Sequence, residues 1–384
     1  MAETAVYNGP MGAKLLPFKS IPTIDIGPLF GEDQAARWTT AKEIGRACET
    51  VGFFYIRNHG VPEAVIDRAY DLSRRFHQSS IEQKQTVHVS HSPGTRGWLP
   101  ISDEDDDGDP ELYRLTEPLP EGDYLTNPRL HAAFDSAIEI AENDPDFLAG
   151  NVMLVPNQWP DWIPGFKKGV RAYYDAVTAT GRALFQAFAI ALDLPEDFFL
   201  KLVNKAPSQL RLLHYPPNEL PMDNVHLGIG AHSDFECFTI LNHRSPGLQV
   251  MNAADEWVAA PPLPGTFTVN IGDLIEGWTN GRFKATQHRV VNTGLERYSM
   301  PLFFCVDYHT VVEPLPQFVS EAHPARYNRI VAGDHLASFS VNSVKHLRRK
   351  IVRGEMTINF PIYQENPFKR KAVNEYKAPA QDGA

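Results

Sequence analysis

The run "AHSDFECFTIL" (residues 231–241) is apolar and strand-like, yet it carries His232 and Asp234 two positions apart. On a single β-strand, residues i and i+2 project to one face, so the imidazole and the carboxylate are expected side by side. Burying both is costly unless something pairs with them, and a metal ion is one such partner. A third ligand is available in His288, within "KATQHRVVN", on another predicted strand. Two neutral imidazoles and a carboxylate can occupy one face of an Fe(II) sphere and leave the other positions open to O2 and a cosubstrate. Mn, Co or Ni fit the same donors, and an isolated His-x-Asp is more often a surface or structural pair.

The strand that follows adds weight. In "RYSM", Arg297 and Ser299 are again i and i+2. A guanidinium fork beside a hydroxyl can bind one carboxylate through charge-assisted and neutral hydrogen bonds. Tyr298, Met300, Leu302, Phe303 and Phe304 surround the pair. If the arginine head is buried among them it needs an anionic partner. The alternative is a strand-edge arginine that reaches water.

Elements to position these groups can be read from periodicity. "IPTIDIGPLF" reads as a short strand and a turn, and "TTAKEIGRACETVG" as a helix ended by Gly52. "FFYIRNHG" is strand-like. "VPEAVIDRAYDLSRRFHQ" is a helix with Pro62 at its first position and Val65, Ile66, Ala69, Tyr70 and Phe76 at helical spacing. "GVRAYYDAVTATGRALFQAFAIALDLP" is the longest helix, and Pro195 stops it. The period then changes to two. "QLRLLHYP", "CFTILNH", "GLQVM", "EWVAA", "TFTVNIG", "TQHRVV" and "RYSMPLFFCVDY" are short strands parted by turn residues. "SFSVNSVKHLRRKIVRG" closes as one helix. The expected fold is α+β with a mainly β core: helices in front and a double sheet, sandwich or jelly roll, behind.

The composition excludes several functions. The chain has 384 residues, 43% hydrophobic and 22% charged, with a formal net charge of −11. No nucleic-acid role is expected, because the basic clusters "KHLRRK" and "FKRK" are short and read as solvated helix and tail charge. Three cysteines without CxxC spacing argue against a disulfide framework or a thiolate zinc site. No apolar run approaches the ~18 residues of a membrane span, and no signal peptide is apparent, so a cytoplasmic protein is expected. Ser233 cannot form a relay with its neighbours His232 and Asp234, since adjacent strand residues face opposite ways. The acidic run Asp103–Glu111 opens like a calcium loop, but its twelfth position is Arg114 rather than a bidentate glutamate. It reads as a solvated acidic loop, or as one that draws in a cationic substrate such as a basic amino acid or amine. His88 and His91 lack companion cysteines and read as surface residues.

Together, "HSD", the distant His288 and "RYS" resemble the 2-oxoglutarate/Fe(II)-dependent dioxygenases of the isopenicillin N synthase-like type. "IPTIDIGPLF", "VGFFYIRNHGVP", "RGWLP", "PNQWPDWIPGF" and "QLRLLHYPP" agree with that family in the right order over roughly residues 20 to 350. The resemblance implies a distorted double-stranded β-helix (jelly roll) flanked by helices. Its regions would be 20–125 (N-terminal), 126–204 (helical support), 205–315 (jelly-roll core) and 316–384 (C-terminal helix and tail), in one structural unit. It implies His232, Asp234 and His288 as iron ligands, with Arg297 and Ser299 on the distal carboxylate of 2-oxoglutarate and Tyr215 bonded to the cosubstrate. Leu213 and His214 replace the asparagine and first tyrosine of the family's Asn-Tyr-Tyr-Pro segment, so either the pocket is more apolar or His214 has another role. The implied activity is O2-driven decarboxylation of 2-oxoglutarate to succinate, coupled to hydroxylation, desaturation or ring closure of a small substrate: an amino acid, an amine or a natural-product intermediate. Phe235, Phe238, Ile240, Val269 and Ile271 are core residues first, and could also shield an oxidant. Two alternatives remain: an Fe(II)/O2 oxidase of the same family that does not use 2-oxoglutarate, with Arg297 and Ser299 on a substrate carboxylate, and a non-catalytic metal-binding jelly roll.

Overall fold

The computed structural model of the protein describes residues 21–101, 130–224, 226–252 and 254–363. Strand β1 (Thr23–Asp25) leads into helix α1 (Gln34–Thr50) and strand β2 (Phe53–Arg57), which pairs in parallel with β1. Asp33 starts α1 by accepting hydrogen bonds from the Ala35 and Ala36 amides, donors that no turn of the helix can satisfy. Helix α2 (Glu63–His77) follows, with Pro62 as its N-cap, one position earlier than the sequence suggested. A short helix, α3 (Ile81–Gln85), starts on a capping box of Ser80 and Gln83. Strands β3 (Gly97–Leu99) and β4 (Ala132–Ser136), the short helix α4 (Pro145–Leu148) and the long helix α5 (Phe166–Ala191) complete the N-terminal half.

The C-terminal half supplies the strands β5 (Gln209–Tyr215), β6 (Leu227–His232), β7 (Phe238–His243), β8 (Leu248–Met251), β9 (Trp257–Ala259) and β10 (Thr266–Ile271). Helix α6 (Asp273–Trp278) separates them from β11 (His288–Val291) and β12 (Arg297–Phe304). The strands form an eight-stranded sheet, β1-β2-β10-β7-β12-β5-β4-β3, and a four-stranded sheet, β6-β11-β8-β9. The two pack face to face where Phe53 and Tyr55 of the larger sheet meet Leu248 and Val250 of the smaller. This is a jelly roll, open rather than closed into a barrel, with helices on the outside of the larger sheet. Along α5 the apolar residues recur every three to four positions. Phe185 meets Phe238 and Phe304 edge-on, with ring centroids 5.0 and 5.3 Å apart. Phe238, Ile240, Val269 and Ile271 belong to this main core, and Phe235 packs against it from a partly buried position.

Strands from the N-terminal half close both edges of the larger sheet, so the core of the C-terminal half is completed by the N-terminal half. The ribbon β13 (Val311–Val312) and β14 (Ile330–Val331) leads to two helices rather than the single closing helix expected: α7 (Ala332–Ser343) and α8 (Lys345–Val352). Val344 between them has extended backbone (φ −116°, ψ 100°), which breaks the hydrogen-bond ladder. The basic cluster on α8 is also less solvated than its composition suggests. Arg348 is buried, His346 bonds the Gly94 carbonyl at 3.1 Å, and Lys350 donates to the Ser92 carbonyl at 3.2 Å. His346 and Lys350 anchor the helix to the segment before β3.

Candidate metal centre

His232 is the last residue of β6 and His288 the first of β11, and the two are register partners across the smaller sheet. Their ring centroids lie 4.2 Å apart. Asp234 reaches them by a different route from the one expected. "AHSDFECFTIL" is not one strand: β6 ends at His232, and β7 begins at Phe238. The connection folds over the start of α6, where the Asp273 amide donates to the Asp234 carbonyl (2.9 Å) and the Gly272 amide to the Cys237 carbonyl (2.9 Å). The Ser233 hydroxyl donates to Asp273 at 3.0 Å and takes no part in the site. The shared face of His232 and Asp234 therefore arises from a turn, not from strand alternation.

The carboxylate is held from behind. Its Oδ2 accepts from the Asn270 amide at 2.7 Å and from the Thr239 hydroxyl. Its Oδ1 lies 3.5 Å from Nε2 of His232 and 3.5 Å from Nε2 of His288. Each imidazole places Nδ1 against a carbonyl, Gly230 at 2.8 Å and Thr286 at 3.2 Å. A carbonyl only accepts, so in the neutral rings the proton sits on Nδ1 and the lone pair on Nε2. Two nitrogen lone pairs and a carboxylate oxygen thus converge on one point, an arrangement that repels itself without a cation between. These donor atoms all lie within 4.8 Å of one another, and among the described residues no other such cluster was found. The set fits Fe(II). Burial opposes ionisation of Asp234, but His288 and His232 hold its carboxyl well below the usual range. Burial, with His288 next to it, lowers the pKa of His232, which keeps the imidazole neutral and able to ligate.

The second constellation lies on the inward face of the larger sheet. Arg297 pairs with Tyr215 across β12 and β5, and Ser299 with Leu213. Arg297 and Ser299 are 3% and 1% exposed. The guanidinium donates from Nη1 to the Ser299 hydroxyl at 2.9 Å and lies 4.8 Å from the Tyr215 ring centroid. Among the described residues no carboxylate pairs with Arg297, and both its Nε and the Tyr215 hydroxyl lack a hydrogen-bond partner. A buried, unpaired guanidinium next to an unpaired phenol is expensive in isolation and fits a site for one carboxylate group. Leu213 is buried and apolar, so position 213 offers no polar contact. His214 points to the opposite face, stacks on Tyr298 (centroids 4.5 Å) and bonds Glu296 at 3.1 Å, away from the site.

The sequence reading missed Thr239 and Asn270. They are register partners in β7 and β10, both buried. The available signal was a polar residue, Thr239 or Asn270, inside an otherwise largely apolar strand stretch, "FTIL" or "FTVNI". It also missed Glu236, two residues beyond Asp234. Burial and the Asp234 charge push its carboxyl up to about 8. The acidic run Asp103–Glu111 lies outside the described residues.

Two family models match the chain: the N-terminal region of "non-haem dioxygenase in morphine synthesis" over residues 21–162, and the "2OG-Fe(II) oxygenase superfamily" over residues 206–306. A homoarginine-6-hydroxylase of Glycine max is 33% identical over 335 residues, 83% of this chain and 96% of the relative. The chain belongs to the 2-oxoglutarate/Fe(II)-dependent dioxygenases. A 2-oxoglutarate-Fe(II) type oxidoreductase of Emericella nidulans is 32% identical, covering 82% of this oxygenase and 87% of its relative. Among solved structures, a full-length Neurospora crassa protein in complex with alpha-KG and thymine superposes with a TM-score of 0.69 at 24% identity, over 86% of this chain and 98% of that one. That likeness shows the fold. The protein is an enzyme that uses Fe(II), 2-oxoglutarate and O2. The name of the Glycine max relative carries a small-molecule substrate, and the Neurospora crassa structure holds a small molecule, thymine. None of its described helices is long and apolar enough to cross a membrane.

Proposed function

We propose that the oxygenase holds its iron through His232, Asp234 and His288, and that Arg297, Ser299 and Tyr215 receive the distal carboxylate of 2-oxoglutarate. Hydroxylation of a small organic substrate is the reaction the site supports best. The observation that carries this reading is the convergence of three lone-pair donors, two of them imidazole nitrogens whose other ring nitrogen is committed to a carbonyl. Iron, O2 and 2-oxoglutarate together supply the oxidising power, with succinate and CO2 as the by-products. The chain's own residues do the positioning. Thr239 and Asn270 fix the carboxylate ligand, and the Gly230 and Thr286 carbonyls fix the two rings. Arg297 neutralises the cosubstrate's far end in a region closed to water.

The regions 20–125, 126–204, 205–315 and 316–384 would then work as one structural unit, supported by the N-terminal strands that close both edges of the larger sheet. A cytoplasmic location is supported by three free, buried cysteines. The test is anaerobic purification followed by Fe(II) and 2-oxoglutarate titration of the wild type and of His288→Ala and Arg297→Leu. His288→Ala should lose the ion and Arg297→Leu should lose 2-oxoglutarate while keeping the ion. A His288→Ala protein that retained stoichiometric Fe(II) and formed succinate normally would overturn the assignment.

A further inference from the structure

A carboxylate aimed from behind by Thr239 and Asn270 also needs its own backbone held in place. Asp234 has no strand to do this, because it lies in the connection between β6 and β7. Its two chain neighbours supply anchors instead. On one side, the Ser233 hydroxyl donates to Asp273 Oδ1 at 3.0 Å, while the Asp273 amide donates to the Asp234 carbonyl at 2.9 Å. Behind Asp273 stands His335 of α7, with Nε2 3.8 Å from Asp273 Oδ2 and neither side chain more than 2% exposed. On the other side, Phe235 stacks on Phe339 of α7, with ring centroids 3.8 Å apart and planes 6° from parallel. Both anchors therefore end on the same helix.

The helix presents them together. His335 and Phe339 are i and i+4, so they share a face, and their rings meet edge-on at 5.0 Å. Ala337 and Val341, also i and i+4, lie on the opposite side and are fully buried in the main core. The first turn of α7 is pinned as well: the Gly333 amide donates to the Tyr308 carbonyl at 2.8 Å, and the Tyr308 hydroxyl donates to Asp334 at 3.1 Å. Further along, the Ser338 hydroxyl accepts from the Tyr363 amide at 2.6 Å. One face of α7 is thus seated in the core, and the other meets both neighbours of Asp234.

We propose that α7 braces the metal-binding turn, with Phe339 acting through Phe235, and His335 acting through Asp273 and Ser233, as positioning residues for Asp234. The proposal rests on the assignment of Asp234 as a ligand. Neither Phe339 nor His335 is itself a ligand or a cosubstrate contact. A turn left to wander in the metal-free protein has to be ordered by the ion, and the ordering is subtracted from the affinity. A turn held ready by α7 avoids that loss.

The experiment titrates Mn(II) into the full-length protein with 2-oxoglutarate present and follows free Mn(II) by electron paramagnetic resonance. Phe339→Ala should weaken Mn(II) about ten-fold, the usual effect of losing an outer support. Phe339→Tyr keeps the stack and should stay within about three-fold of wild type. Asp273→Leu should also weaken Mn(II) about ten-fold, and Asp273→Asn, which still accepts from Ser233, should stay within about three-fold. Val341→Ala removes core contact from the opposite face; it should lower the melting temperature yet leave Mn(II) affinity within about three-fold. Phe339 is partly exposed, so its variants keep the test decisive even where Asp273→Leu fails to fold. The proposal is overturned if Phe339→Ala or a folded Asp273→Leu binds Mn(II) within about three-fold of wild type, if Phe339→Tyr binds as weakly as Phe339→Ala, or if Val341→Ala loses as much affinity as either. A wild type that binds no Mn(II) would instead remove the metal assignment itself.

Discussion

Asn270→Leu tests the idea that the carboxylate ligand is aimed from behind. Asp234 presents Oδ1 to the imidazoles because Oδ2 is occupied by Asn270 at 2.7 Å and by Thr239. Leucine has a similar volume and donates nothing. One hydrogen bond to a charged group then disappears, worth about 1.5–3 kcal/mol. At about 1.4 kcal/mol per decade this predicts a 10- to 100-fold weaker Fe(II) affinity, in line with what loss of an outer partner usually costs a metal site. Thr239 remains, so binding is weakened rather than abolished, and Thr239→Val on top of Asn270→Leu should weaken it further. Anaerobic Fe(II) or Mn(II) titration with 2-oxoglutarate present measures the ratio, and a thermal melt of the metal-free protein controls for folding. An Asn270→Leu protein that is folded without metal and binds Fe(II) within two-fold of wild type would refute the reasoning.

Three further outcomes are expected. Arg297→Leu should raise the 2-oxoglutarate Kd by about 100-fold or more, since more than one charge-assisted bond is lost, while metal affinity measured without 2-oxoglutarate is unchanged; an unaltered cosubstrate Kd would count against the carboxylate site. Gly272→Val should lower the melting temperature and the soluble yield sharply, because a Cβ there would lie 2.3 Å from the Glu236 carbonyl oxygen, and backbone cannot swing aside as a side chain can. The third outcome is pH dependence. Burial, with His214 beside it, holds the His77 imidazole down at about 3. Above the unfolded value of about 6.5 both states are neutral and there is no effect; as pH falls below it the unfolded chain takes up a proton the native state refuses, so stability falls progressively toward pH 3. At pH 5 the loss from this residue is about 2 kcal/mol. Urea melts at pH 7.5 and 5 should show it, and His77→Gln, which can still donate to the Leu212 carbonyl, should have the shallower pH slope.

Much of the site could be read from residue types alone. His232, Asp234, His288, Arg297 and Ser299 are polar residues at places where an apolar pattern leaves them without an obvious partner, and the structure brings each set together. The strands from β7 onward are legible as short apolar runs parted by turn residues, although β7, β10, β11 and β12 are buried on both faces. Elsewhere tertiary contacts override the local pattern. β6, "LGIGAH", shows poor alternation because of its glycines, and at Gly228 the reason is close packing: a Cβ would lie 2.9 Å from the Tyr215 ring. α6 is too short for a helical period to register, yet its first turn holds the chain that carries Asp234. The division of one predicted closing helix into α7 and α8 falls at Val344, whose backbone is extended, and no proline or glycine marks it in the sequence. Arg348 looked solvated because burial of a cation depends on what the helix is laid against, which composition does not reveal.

The carboxylate of Asp234 is hydrogen-bonded to β7 and β10 of the larger sheet, whereas the two imidazoles stand on β6 and β11 of the smaller. An ion gripped by all three is therefore also a rivet through the two layers of the sandwich. Its binding energy adds to the cohesion of the whole fold. Scarcity of iron would then thin the population of intact molecules as well as idle them, because a chain stripped of its rivet opens more readily to proteases.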